Sequence, residues 1–136
     1  MHLKTLGVKE HNGGEWRVVL HVEFAAEYRA LPETVQDELV ALTVNLSEKG
    51  PLLSRPLVDA LNGSRHANMK ELRFRAEGGV WRIAFAFDPE RKAVLLVAGN
   101  KAGISQRRFY RDLIEVADRR LDRHLQSLQI QGGRSK

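Results

Sequence analysis

The sequence predicts an α+β domain, in which a small antiparallel sheet carries helices packed on it. Three observations lead to this fold class. A short stretch near the start alternates apolar and polar residues, as a half-buried strand does. Three further strand-like runs follow one another between residues 70 and 98. Before and after those runs, apolar residues recur at helical spacing.

The N-terminal part is predicted to form one strand and a helical hairpin. Residues 16–22 carry the alternating pattern of the first strand. Phe24 and Tyr28 then begin a helical stripe that runs up to Pro32, a residue suited to the first turn of a second helix. The second stripe continues until Gly50 and Pro51 end it. Residues 51–68 are predicted to be an irregular connection.

A three-strand meander and a C-terminal helix complete the predicted domain. The strands cover residues 70–75, 80–87 and 93–98, with turn sequences between them. Because 93–98 is apolar at every position, we expect it to be a central strand covered on both faces. Ser105 is the predicted N-cap of the final helix. The chain of 136 residues is interpreted as one domain, with residues 1–14 and 129–136 as flexible tails.

Composition and charge narrow the functional classes. The chain has no cysteine, which excludes thiol catalysis and sites that need cysteine ligands. No apolar run approaches the roughly 20 residues of a membrane span, so we expect a cytoplasmic protein without membrane contact. The net charge is +5, yet residues 65–111 hold eleven Lys or Arg against four Asp or Glu, a net of +7. A basic excess confined to one block is typical of a surface that meets polyanions, although it is also compatible with a solvated basic face.

The alternating pattern also predicts how the first two strands of the meander pair. If their apolar residues face one core, Phe74 lies opposite Trp81, and Arg73 lies opposite Arg82. Directly opposed like charges destabilise a sheet. Either an anion sits between the two arginines, or a carboxylate compensates them, and Glu71 on the same face could do so.

Other candidate groups lie nearby in the sequence. Gly99 and Lys101 belong to a glycine-containing turn before the final helix, which is a possible anion site. Tyr110 follows on that helix, and His66 precedes the first strand of the meander. The five histidines show no ligand spacing, so neither a metal nor a cofactor is expected. The P-loop pattern is absent, which argues against nucleotide hydrolysis.

Four segments resemble the RelE/HigB-like toxins of bacterial type II toxin–antitoxin systems, in particular their phage-derived branch. The segments are 63–73, 80–85, 99–101 and 108–110, and the similarity extends from Trp16 to about Leu125. The resemblance implies a small fold like that of microbial ribonucleases, cleavage of mRNA on the ribosome, and neutralisation by a helix-turn-helix antitoxin. Arg82 and Tyr110 match family catalytic positions. Where some relatives have lysines, this chain has Glu71 and Arg73.

These residues suit an mRNA endoribonuclease that needs no metal. The RNA 2′-OH would attack the adjacent phosphate, leaving a 2′,3′-cyclic phosphate or 3′-phosphate, so the site needs a base and cations. Glu71 is the favoured base and His66 the reserve, and Tyr110 would stack on a base or donate a proton. Arg73 and Arg82 would hold the phosphate, with Lys101 assisting. The residues expected to bind the mRNA and rRNA backbones are Arg65, Lys70, Arg75, Arg107 and Arg108.

Two alternatives from other classes stay open. A ParE-like toxin of the same fold would inhibit DNA gyrase by protein contact, and the arginines would then form an interaction surface. A non-catalytic RNA-binding module would use the basic block without cleaving its ligand.

Overall fold

The fold is a mixed β-sheet with helices on both faces, seen in a computed structural model that describes residues 4–5 and 16–134. Within these residues the sheet has six strands in the spatial order β1-β2-β6-β5-β4-β3. The strands are β1 (Lys4–Thr5), β2 (Arg17–Leu20), β3 (Val58–Ala60), β4 (Lys70–Ala76), β5 (Gly79–Phe87) and β6 (Lys92–Asn100). The helices are α1 (Val22–Arg29), α2 (Glu33–Lys49) and α3 (Gln106–Arg134), and a 3-10 turn covers Gly50–Leu52.

The α+β class, the meander and the C-terminal helix are confirmed, but one strand pairing differs from the prediction. β2 pairs with β6 in parallel, so the sheet is not antiparallel throughout. The reason lies in the path of the chain. After β2 it passes through α1 and α2 and enters the sheet at the far edge through β3. The strands β3, β4, β5 and β6 then pair in turn, each antiparallel to the one before it, so that β6 lies beside β2.

β3 is a short edge strand inside the segment predicted to be irregular. Its pairing with β4 places Val58 opposite Leu72 and Asp59 opposite Glu71. Three residues are too few to show a periodic pattern, which explains why the sequence did not reveal this strand. The strand matters because it brings Asp59 beside the candidate site.

Two apolar clusters lie on opposite faces of the sheet. On one face, Phe24 of α1 and Leu39 of α2 pack against alternate strand residues such as Phe85. On the other face, α3 covers a second cluster that includes Leu113, Ala117, Leu121, Ala84 and Val94. Because both faces are covered, β6 is buried continuously from Ala93 to Leu96, as its apolar run predicted.

The helix ends are set by local hydrogen bonds. Val22, predicted to end the first strand, is instead the first residue of α1, and the His21 side chain caps the helix by accepting from the Glu23 N–H at 3.2 Å. The Ser105 hydroxyl accepts from the Arg108 N–H at 3.2 Å, as expected of an N-cap.

α3 continues through Arg134, into the predicted tail 129–136. Most of the predicted tail 1–14 lies outside the described residues.

A buried polar cluster joins the start of α1, the β5–β6 turn and the second half of α3. Burial lowers the pKa of His21 from 6.5 to about 4, and the charges of Arg120 and His124 act in the same direction. Burial alone would raise the pKa of Asp88, but hydrogen bonds from His124 and from backbone N–H groups of the turn hold it below its usual value. His124 Nε2 and Asp88 Oδ2 are 2.7 Å apart, and both side chains are buried.

We expect this cluster to make the protein less stable in acid. Between pH 6.5 and about 4 the unfolded chain binds a proton at His21 that the folded chain does not, so the free energy of unfolding falls as the pH falls. The loss attributable to His21 is up to about 3 kcal/mol. Asp88 adds a loss of the same sign at lower pH. Thermal melting across this pH range measures the effect, and His21→Asn, which keeps a capping side chain, should flatten the profile. A His21→Asn profile as steep as that of the wild type would contradict this assignment.

Candidate active site

The β4–β5 hairpin has the register predicted from the sequence. Phe74 lies opposite Trp81 and Arg73 lies opposite Arg82. A two-residue turn sets this register, and both of its residues, Glu77 and Gly78, have positive φ angles of 54° and 73°. Opposed residues of an antiparallel pair leave the sheet on the same face. The two arginines and Glu71 therefore share the face that α3 covers.

Glu71 is the centre of the hydrogen-bond network on this face. Its side chain is only 3% exposed. Arg73 donates to Glu71 Oε2 from Nε at 2.9 Å, and Arg73 Nη2 is 2.8 Å from the same oxygen. The Tyr110 hydroxyl donates to Oε1 at 2.9 Å. The sequence left two explanations for the opposed arginines, a bound anion or a compensating carboxylate. The structure contains the carboxylate, which is Glu71.

The electrostatics fix the protonation state of the two partners of Glu71. The hydrogen bond to Glu71 raises the pKa of Arg73, which stays a cation. Burial, and then the hydrogen bond to Glu71, raise the pKa of Tyr110 above its usual value. Tyr110 is therefore a protonated donor at neutral pH. Its proton already points to a carboxylate that could accept it.

Arg82 is held by aromatic rings instead of a carboxylate. Its guanidinium carbon lies 5.4 Å from the Phe109 ring centroid and 5.6 Å from that of Tyr110, within the range of cation–π contacts. Gly99 lies opposite Arg82 on β6, and a Cβ there would stand 2.7 Å from a Phe109 ring carbon. The prediction that Gly99 belongs to the turn before α3 is wrong, because Gly99 lies in β6 and its missing side chain makes room for Phe109. A glycine inside an apolar strand is the signal of such a close approach.

A cleft of about 540 Å³ opens beside Glu71. β3 and β4 form one side, and the start of α3 forms the other. The lining residues are Asp59, Ala60, Leu61, Asn62, Glu71, Arg73, Gln106, Arg107 and Tyr110. Sequence reasoning missed Asp59, Asn62 and Gln106. Asp59 Oδ2 is 3.9 Å from Arg73 Nη2, so Arg73 lies between two carboxylates.

His66 and Arg65 are placed apart from this network. His66 Nε2 is 2.7 Å from Asp122 Oδ1 on α3, and Arg65 forms an ion pair with the same aspartate. Asp122 follows Tyr110 by twelve residues, which is roughly 18 Å along a helix. The structure therefore brings Glu71, Arg73, Arg82 and Tyr110 together but does not bring His66 to them.

The remaining predicted residues surround the cleft or lie near it. Lys101 is half-buried in the turn between β6 and α3 and does not line the cleft. Arg107 lines the cleft wall, and Arg75 and Arg108 are exposed. Lys70 is half-buried at the start of β4.

Among the described residues, no three His, Asp or Glu side chains are grouped so that they could hold a metal ion, and no helix is long and apolar enough to cross a membrane.

The fold and site define a small α+β protein with an arginine, tyrosine and glutamate network beside an open cleft. The chain belongs to the Gp49-like family of phage-derived proteins, whose sequence profile matches residues 26–122. Two curated relatives from Mycobacterium tuberculosis, which are named as toxins HigB2 and HigB3, are each 49% identical to it, over 94 and 82 residues. These matches cover 68% and 60% of this chain. The chain spans 46% of the length of HigB2 and 69% of that of HigB3.

One solved structure shows the same fold. A mutant of the Escherichia coli toxin RelE in the free state superposes with a TM-score of 0.55 at 15% identity, over 76% of this chain and 94% of RelE. The similarity to RelE/HigB-like toxins expected from the sequence is thus confirmed by family, relatives and fold.

Proposed function

We propose that the protein is the toxin of a toxin–antitoxin pair and acts as an mRNA endoribonuclease on the ribosome in the cytoplasm. A cognate helix-turn-helix antitoxin would neutralise it. The family and the toxin relatives support the first part of this proposal. The observation that supports catalysis is Tyr110, a residue that lines the cleft and whose hydroxyl donates at 2.9 Å to the buried Glu71 carboxylate. Besides compensating the opposed arginines, this pair places a proton donor and a proton acceptor side by side at the cleft, where a reaction can use them.

The proposed reaction uses the RNA as its own nucleophile and needs no metal. The 2′-oxygen attacks the adjacent phosphorus while its proton passes to the Tyr110 oxygen, and the Tyr110 proton moves to Glu71. The bond from phosphorus to the 5′-oxygen breaks, and that oxygen takes a proton from water. The products are a 2′,3′-cyclic phosphate, which water can open to a 3′-phosphate, and a 5′-hydroxyl. Glu71 is the final acceptor in this scheme, because its carboxylate already accepts the Tyr110 hydroxyl at 2.9 Å.

Arg107, which lines the cleft, and Arg82, which lies against the ring of the cleft residue Tyr110 without lining the cleft itself, are the proposed contacts of the phosphate in this reaction. Arg73 is shared between Glu71 and Asp59, so its first role is to hold the base. The Arg107 side chain lines the cleft and has no hydrogen bond or ion pair within the described part of the chain. Among the other predicted RNA contacts, Lys70, Arg75 and Arg108 stay available, whereas Arg65 is already paired with Asp122.

Arg82→Ala is expected to lower the turnover of RNA cleavage roughly tenfold to a thousandfold, because it removes one donor that stabilises charge in the transition state. Arg82→Lys should recover part of this loss, since it keeps the charge but not the planar stacking on Phe109 and Tyr110. Single-turnover kinetics with saturating RNA measure the change. Equal turnover in wild type and Arg82→Ala would remove Arg82 from the site.

Induction of the protein in bacteria without its antitoxin tests the proposed function. We expect growth arrest with fragmented messages, and primer extension on a reporter mRNA should find discrete cuts inside the translated region. A chain with Tyr110→Phe should leave the message intact at equal expression. Intact messages together with gyrase–DNA cleavage complexes would instead establish the gyrase inhibitor. Binding of RNA without any cut would establish the non-catalytic module.

A further inference from the structure

A second groove lies next to the candidate active site. It has a volume of about 410 Å³ and meets the cleft at Asp59 and Ala60, which line both depressions. β3 is thus a narrow ridge between them. Both volumes lie in the range of about 300–1,000 Å³ that is typical of small-ligand pockets.

The groove combines an apolar wall with two cations. Pro51, Leu53 and Val58 supply the apolar part, and Arg55 and Lys70 supply the charges. The Arg55 side chain is 81% exposed. The Lys70 side chain has no hydrogen bond or ion pair among the residues that the structure describes. A positively charged groove that follows the backbone is one component of single-strand binding sites, and in this groove aliphatic side chains take the place of the aromatic rings on which bases usually stack.

The carboxylate on the ridge does not prevent an RNA strand from crossing it. Asp59 Oδ1 accepts from the Ala60 N–H at 2.8 Å and is 3.3 Å from Arg55 Nε, and Arg73 lies 3.9 Å from Oδ2. Arg55 therefore offsets the charge of Asp59, with a smaller contribution from Arg73, which is bound mainly to Glu71. An RNA backbone that passes from the cleft to the groove meets cations on both sides.

We propose that this groove binds the nucleotide next to the scissile one in the same single-stranded RNA. The base packs on Pro51 and Leu53, and the phosphate is bound by Lys70 and Arg55. This inference rests on the proposed function, because the strand that enters the cleft is the one that continues into the groove. The continuity of the two depressions and the positive charge favour RNA over an apolar protein segment as the occupant.

Binding of 2′-O-methyl RNA, which cannot be cut through the 2′-oxygen, tests the groove without catalysis. Fluorescence anisotropy is measured at several salt concentrations for wild type, Lys70→Gln, Arg55→Gln and the control Arg29→Gln, which changes an exposed arginine at the end of α1. We expect each groove variant to weaken binding roughly threefold to tenfold. The slope of log Kd against log salt should fall by about 0.7 for each lost phosphate contact. Arg29→Gln should match the wild type.

The outcomes separate this inference from the proposed function. If wild type binds and cuts RNA while Lys70→Gln and Arg55→Gln keep its affinity and salt slope, the groove is not an RNA site and is free for a protein partner. If wild type neither binds nor cuts RNA, on or off the ribosome, the proposed function itself fails. Unchanged melting temperatures of the variants would show that a measured loss reflects contact with RNA and not unfolding.

Discussion

Tyr110→Phe is expected to lower the turnover of RNA cleavage by roughly a hundredfold to a thousandfold, the range of a lost acid–base group. The change removes the hydroxyl that donates to Glu71 at 2.9 Å and keeps the ring against Arg82. The proton of the 2′-hydroxyl then has no relay to the buried carboxylate. Because the ring stays, KM should change little, whereas the loss of a hydrogen bond to the buried Glu71 carboxylate should lower the melting temperature.

Tyr28→Phe is the matched control for this prediction. Its hydroxyl is also a hydrogen-bond donor, at 3.4 Å to the Gln36 carbonyl, but Tyr28 belongs to α1 on the other face of the sheet. We expect Tyr28→Phe to cut RNA at the wild-type rate. Glu71→Gln should be as inactive as Tyr110→Phe, and the double variant should lose no more than either alone, since the two groups act as one unit. Additive losses would contradict the relay.

Arg73→Ala is expected to have the largest effect on folding. It leaves the Glu71 carboxylate buried with Tyr110 as its remaining side-chain partner, at a cost of about 1–3 kcal/mol in the free energy of unfolding. The cost stays below that of a fully buried ion pair because the Arg73 side chain is 43% exposed. Denaturant unfolding measures the change.

Two further variants isolate the cause of this destabilisation. Arg75→Ala removes the next arginine on the same strand and face, which is exposed, and should change stability by no more than about 0.5 kcal/mol. Adding Glu71→Gln to Arg73→Ala should restore part of the lost stability, because the buried charge is then gone. If Arg73→Ala is as stable as the wild type, Arg73 does not hold Glu71 in solution.

Local patterns were sufficient to predict the hairpin that carries the site. The alternation along β4 and β5 and the short turn between them fix the register, so the pattern of residues alone places Arg73 opposite Arg82. Glu71 and Tyr110 are candidates by residue type and position. Their hydrogen bond joins a strand to a helix 39 residues later, and no local pattern encodes that contact.

The features that the sequence did not reveal depend on distant contacts. The parallel pairing of β2 with β6 joins residues more than 70 positions apart and follows from the crossover of α1 and α2. Asp59 enters the site because β3 pairs with β4, although β3 is too short to show a period. His66 stands apart from Glu71 because Asp122, on a later helix, binds it. Strand pairing and side-chain partners of this kind need the whole fold.

The most direct test of RNA cleavage through the 2′-oxygen is a single-atom change in the substrate. A message cut by the purified protein on programmed ribosomes is first mapped to the nucleotide, and the same RNA is then made with a 2′-deoxy nucleotide at that position. We predict that the unmodified RNA yields a 2′,3′-cyclic phosphate or 3′-phosphate and a 5′-hydroxyl, and that the cut at the deoxy position disappears while other cuts persist. Cleavage that continues at the deoxy position would contradict the mechanism, because the nucleophile would then have to come from outside the RNA.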